Sequence, residues 1–263
     1  MSAGRRRPPP ALLVPAFVAV LLVALPLVGL LGRTPWSKLP GLLTDPTVTA
    51  ALRLSLLTSF AAAAASAVLG VPLAWLLSRI EFRGKRLVRA LVTLPMVLPP
   101  VVGGAALGFA LGRRGLVGEA LEGATGLVLP FSTAGVIVAN TFVAMPFLVV
   151  TVQGALDGMD RRHEAAAATL GARPLTVFRR VTLPMIAPSL RAGAILAWAR
   201  ALGEFGATVT FAGNLSGRTQ TLPLAVFVAL ESDQDAAIAM SLMLVAVSLA
   251  VLVTLRGDWW TRP

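Results

Sequence analysis

The chain of 263 residues has no cysteine, no tyrosine and one histidine. Without cysteine there is no disulfide framework. Without a His/Cys cluster there is no ligand set for structural zinc, an iron–sulfur cluster or haem. Charge is scarce too: 13% of residues are charged, against about 25% in soluble domains. No G-x-x-x-x-G-K-[ST] is present. Gly84-Lys85 lacks both the upstream glycine and the hydroxyl residue, so the chain cannot hold a nucleotide in a P-loop. No Ser/His or metal constellation converges, so no catalytic residue is assigned. His163 stands in a charged loop and reads as a solvated polar residue.

Apolar residues fill this space, at 56% of the chain. A helix needs about 20 of them to cross the hydrocarbon layer. Six stretches qualify: Ala11–Leu31, Leu54–Leu77, Leu91–Leu111, Ser132–Gln153, Ala192–Ala212 and Ala236–Leu255. In lipid each must satisfy its own backbone hydrogen bonds, which makes them helices. The expectation is an all-α polytopic membrane protein with six transmembrane helices, forming one transmembrane domain over residues 1–263. The first stretch exceeds a signal-peptide core and no A-x-A site follows it, so it reads as an uncleaved span.

The net charge of +11 then reports topology rather than nucleic-acid binding. Fifteen Lys and Arg fall on one side, in the N-terminal segment, the loops after the second and fourth stretches, and the C-terminal tail. Five fall on the other: Arg33, Lys38, Arg113, Arg114 and Arg218. The positive-inside rule puts the first side, with both termini, in the cytoplasm.

The longest non-apolar segment is the loop Gly154–Leu190 on that basic side. Asp160 is placed to cap a helix, Glu164 falls in its first turn, and Ala165–Ala168 favour helix with little side-chain bulk. Gly171 and Pro174 end it. A smooth helix of about three turns on an exposed loop suits close docking by another protein. Glu164-Ala-Ala-Ala-Ala-Thr-Leu-Gly171, followed by Val181, Leu183 and Pro184 at fixed spacing, resembles the loop motif of ABC-importer permeases of the molybdate and sulfate subgroup. The resemblance implies the type I importer permease fold. It also implies a coupling helix in which Glu164, Ala165, Ala166, Ala167 and Gly171 meet a separate ATPase.

Arg200 and Glu204 stand four apart inside an apolar stretch. Each costs about 2.5–3.5 kcal/mol at the bilayer centre on insertion scales, so they must face protein or water. They fit either a pathway gate or a structural ion pair on one helix face. Thr208, Thr210 and Asn140 are further polar groups available to line a path for an anion. Pro95, Pro99 and Pro100 interrupt the third stretch, and Gly104, Gly108 and Gly112 repeat at the spacing of close helix crossings. Leu202-Gly-Glu-Phe-Gly-Ala-Thr208 and Gly217-Arg-Thr-Gln-Thr-Leu-Pro-Leu224 are similar to permease subunits of molybdate importers; sulfate permeases share the Gly-Glu-aromatic-Gly core.

This resemblance implies an inner-membrane permease that moves an oxyanion inward, most of all molybdate, with tungstate and sulfate or thiosulfate as alternatives. It implies a homodimer in lipid, because one chain shows no internal repeat to enclose a pore. The partners it implies are two ATPase subunits carrying the ATP and an extracytoplasmic oxyanion-binding protein. No cofactor, metal or nucleic acid belongs to this chain itself.

Overall fold

The computed structural model describes residues 10–255, and the described residues form helices and no strands. In chain order the helices are α1 (Pro10–Gly32), α2 (Leu39–Leu43), α3 (Pro46–Arg79), α4 (Lys85–Val97), α5 (Pro100–Leu111), α6 (Gly118–Thr125), α7 (Thr133–Gly158), α8 (Arg162–Thr169), α9 (Pro174–Val177), α10 (Leu183–Leu202), α11 (Gly206–Phe211), α12 (Leu222–Ser232) and α13 (Gln234–Leu255). A π-helical turn, Phe178–Thr182, joins α9 to α10. Five helical runs are long and apolar enough to cross a membrane: Ala11–Gly32, Pro46–Arg79, Thr133–Gly158, Pro174–Leu202 and Gln234–Val253.

The centre of the fold is α3 against α7. Asp45 starts α3 by accepting the amides of Thr47 (2.7 Å) and Val48 (3.3 Å), with Pro46 at the first helical position, where a missing N–H costs nothing. Its buried seam is Ala51, Ser55, Ser59, Ala62, Ser66, Gly70 and Ala74, spaced three or four apart. At Ala62, Gly70 and Ala74 small residues let α7 approach closely, and van der Waals packing can hold the pair in lipid, while Ala51 and Ser55 meet α12. Ser132 caps α7 by accepting the Gly135 amide at 3.0 Å. α10 lies across both helices and closes a core around Leu77, Leu148, Val152, Leu156 and Ile186. Two further clusters join α3 to α12 and α13, and α5 to α7 and α11.

α1 stands apart. None of the window that makes it a span is buried within the chain, and among the described helices it touches only α13 to any extent.

Three of the expected stretches need correction. The second begins earlier, at Pro46 rather than Leu54, because Asp45 caps the helix there. The third stretch is two helices, α4 and α5, which follow one another along α7. A residue before proline is pushed out of the helical region. Tandem Pro99-Pro100 does this twice, leaving Leu98 (ψ 132°) and Pro99 (ψ 129°) extended. The fifth stretch is displaced. Its helical run begins at Pro174, α10 ends at Leu202, and α11 is a separate short helix. Arginines at 173, 179 and 180 masked the start of that run, and no proline marks the break after Leu202.

Candidate functional sites at the two ends of the bundle

At the basic end, α8 is shorter than the three turns expected, at eight residues. Asp160 Oδ1 accepts the Arg162 amide at 2.9 Å. Gly171 ends the segment with φ +82°, a left-handed conformation that a side chain would strain. Ala165 and Ala166 are exposed and Ala167 is half-buried. Beside them Leu170 and Leu175 are 89% and 64% exposed. The outer face of the loop therefore presents small and apolar side chains beside the exposed Arg162 and His163.

Glu164 points the other way. Its Oε2 stands 3.0 Å from Arg79 Nε at the end of α3, and its Oε1 accepts the Thr182 hydroxyl at 2.6 Å. The Arg79 side chain is 8% exposed and donates to the Leu156 carbonyl at 2.8 Å, while the neighbouring Ser78 hydroxyl donates to Asp157. Trp75 meets the Phe178 ring edge-on at 6.5 Å. These contacts tie α3, α7, α8 and the π-helical turn into one block. Removing one partner of this largely buried pair leaves the other charge poorly compensated, which makes the pair a constraint on geometry. Arg79, Thr182 and Asp157 carried no signal in the sequence, because their partners lie far along the chain. On the adjoining α3–α4 turn, the Glu81 carboxyl is held below its usual range by its hydrogen bond to Lys85 and then by that residue's charge.

Further along α10, Arg200 and Glu204 meet as their spacing suggests, with Nη1 2.6 Å from Oε2. Glu204 is buried, and its second oxygen accepts the Ala207 amide at 2.7 Å. The carboxylate thus neutralises Arg200 and caps α11 across the break in the chain. Thr208 donates to Asn140 Oδ1 at 3.2 Å, and both residues are sealed between α7 and α11. Thr210, two residues further along α11, is exposed and donates to the Gly206 carbonyl at 2.8 Å. Of the five polar residues expected to line a path, the structure brings Arg200 to Glu204 and Asn140 to Thr208, and leaves Thr210 open.

The broken helices touch each other here. A Cβ on Gly104 would come within 1.8 Å of Thr210 Oγ1 and 2.7 Å of the Ala207 carbonyl oxygen; one on Gly206 would come within 2.8 Å of Pro100. Gly104 therefore makes the close crossing that its spacing suggests. Gly108 does not: it faces open space.

The family described as binding-protein-dependent transport system inner membrane component matches residues 66–262. The chain is 48% identical over 240 residues to the molybdenum transport system permease protein ModB of Mycobacterium tuberculosis, covering 91% of this chain and 90% of that one. It is 38% identical over 244 residues to the sulfate transport system permease protein CysT of Salmonella typhimurium, covering 91% and 87%. In fold it resembles a bacterial alginate ABC transporter solved in complex with an alginate pentasaccharide-bound periplasmic protein, with a TM-score of 0.74, 18% identity, and 96% and 94% of the two chains covered.

Proposed function

Since the chain belongs to the inner membrane components of binding-protein-dependent transport systems, we propose that it is the permease subunit of an ATP-driven importer of molybdate. It is a multi-pass membrane protein and a transport subunit rather than an enzyme. The substrate reading is carried by the near full-length likeness to molybdenum permeases, which exceeds the likeness to sulfate permeases. Sulfate and tungstate are tetrahedral dianions of the same charge, and a separate binding protein would do most of the selecting.

In this reading two copies enclose the path, an extracytoplasmic binding protein delivers the anion, and both termini face the cytoplasm. ATP is hydrolysed on a separate ATPase that receives α8. Support for this docking is the outer face of α8, with Ala165, Ala166 and the apolar Leu170 exposed at the charged end. Ala167 and Gly171 set its close approach and its turn. Glu164 then serves the interface indirectly, by holding α8 in register through Arg79 and Thr182. Arg200, Glu204, Asn140, Thr208 and Thr210 form the gate region. Glu204 would repel an oxyanion, but its pairing to Arg200 and the Ala207 amide makes it a brace for the break between α10 and α11.

Uptake of labelled molybdate at trace concentration tests the substrate. Cells lacking the gene should lose it, and excess unlabelled sulfate should not compete in cells that have it. Uptake that persists without the gene, or that sulfate suppresses, overturns the molybdate reading. Docking is tested by Ala166→Arg, which places a long cation on the exposed face of α8. We expect normal amounts of the variant in the membrane, with binding-protein-stimulated ATP hydrolysis and uptake both lost. Stimulated hydrolysis at the original rate would remove α8 from the interface.

A further inference from the structure

A cleft of about 580 Å³ opens at the end of the bundle opposite α8. Gly108 and Gly112 of α5, Phe131 before α7 and Thr210 of α11 form its walls, and two cations, Arg113 and Arg218, line it. Among the described residues, no carboxylate lines it. Arg113 has an acidic neighbour, Glu122, but only at 3.7 Å and between exposed side chains, which is worth little.

Arg218 is carried on an ordered turn. The Leu215 carbonyl accepts the amides of Arg218, Thr219 and Gln220 at 3.1, 2.8 and 2.9 Å. Buried Thr219 closes the turn by accepting the Leu215 amide at 2.8 Å, and Thr133 at the start of α7 donates to the Arg218 carbonyl at 2.9 Å. Across the cleft, Phe131 is the one non-glycine residue with positive φ among the described residues, at 57°. Its ring lies where a Cβ on Gly213 would fall, 2.7 Å away. A bulky residue held in the left-handed region is costly and persists where the surroundings over-determine it, which is commonest at ligand sites.

We infer that this cleft is a receiving site for the tetrahedral dianion, with Arg113 and Arg218 as its electrostatic grip. The inference rests on the import reading above and adds where the anion stands before it meets the contact of α5 with α11. Guanidinium groups match pairs of oxygens on a tetrahedral anion, and a concave wall with one sign of charge concentrates anions in front of it. The Thr210 hydroxyl has its proton committed to the Gly206 carbonyl, so it offers only lone pairs and marks the inner limit of the attractive region. Two cations without a closed ring of donors hold the anion weakly, which suits a station on a path.

The complete transporter, with its ATPase and binding protein, is reconstituted in liposomes. The probe is labelled molybdate. With Arg113→Gln and Arg218→Gln combined, initial uptake should fall about tenfold, and the decline of uptake with added NaCl seen in the original protein should flatten. The double lysine variant should retain uptake and its salt dependence. Arg114→Gln, beside the cleft but outside its lining, should behave as the original. Affinity of the binding protein for the membrane complex should stay unchanged throughout. Uptake at the original level in the double glutamine variant overturns the inference. So does a fall matched by an equal loss of binding-protein affinity, which would make the arginines a contact for acidic groups on that protein. If the unaltered transporter imports no tetrahedral oxyanion at all, the import reading fails first and takes this site with it.

Discussion

α3 and α7 run unbroken for 34 and 26 residues, although each contains a proline, Pro72 and Pro146. The α4–α5 and α10–α11 pairs cover similar lengths and are broken. Proline alone does not separate the two cases. A single proline inside a packed helix removes one hydrogen bond, which tight neighbours can offset. Pro99-Pro100 removes two in succession, and the break after Leu202 needs none, because Glu204 supplies a side-chain cap to the Ala207 amide. Continuous helices form the frame of the bundle. The interrupted ones meet each other through Gly104 and Gly206, and they carry the ion pair, the open threonine and one wall of the arginine-lined cleft.

The difference can be broken most severely at Glu204. Glu204→Ala leaves Arg200 without its partner and α11 without its cap. Losing one member of a buried pair costs about 3–5 kcal/mol, and the lower end applies because Arg200 keeps 26% of its side chain exposed. We expect a large drop in the thermal midpoint of the detergent-solubilised protein. Glu204→Gln, which can still accept the Ala207 amide, should lose less. Equal midpoints for both variants would mean that the cap contributes nothing.

A smaller effect separates two glycines, one from each region. At Gly104 the added methyl meets backbone atoms of Ala207 at 2.7 and 2.9 Å, which cannot move without parting α5 from α11. Overpacking of this kind costs about 1–3 kcal/mol, and uptake should fall with stability in Gly104→Ala. At Gly70 the nearest atoms are side-chain carbons of Leu148 and Val149 at 3.1 Å, which can shift by a few tenths of an ångström. Gly70→Ala should change the midpoint by less than Gly104→Ala and leave uptake intact. The reverse order would show that the continuous frame, not the broken pair, is the less forgiving.

Much of this was legible in the chain itself. The continuous spans announced themselves through length and apolarity, and the tandem prolines flagged the third stretch as irregular; the start of α3 at Pro46, well before Leu54, was missed because its first turns are polar. The loop helix was readable from Asp160, the alanines and Gly171. The break at Gly203–Phe205 was not, because a glycine–glutamate–aromatic–glycine run can continue a helix as easily as end one. Only the fold shows that the glutamate turns back on the next amide. Nor could spacing show that Glu164 faces inward. Its partner Arg79 ends another helix, where it registers only as one more positive charge at a membrane boundary. The cleft escaped for the same reason: Arg113 and Arg218 belong to different loops and come together only through α5, α7 and α11.

The inward turn of Glu164 has a mechanical meaning. A loop joined to its domain only by its two ends behaves as a spring, and a push on it is spent in bending. Here the loop is bolted at mid-length, through Glu164 to Arg79 and Thr182, and its neighbours are bolted through Ser78 to Asp157 and Phe178 to Trp75. A displacement applied at α8 therefore has no slack to take up. It would pass directly to the ends of α3 and α7, and a small movement at one end of a rod 34 residues long would become a wider swing at the other.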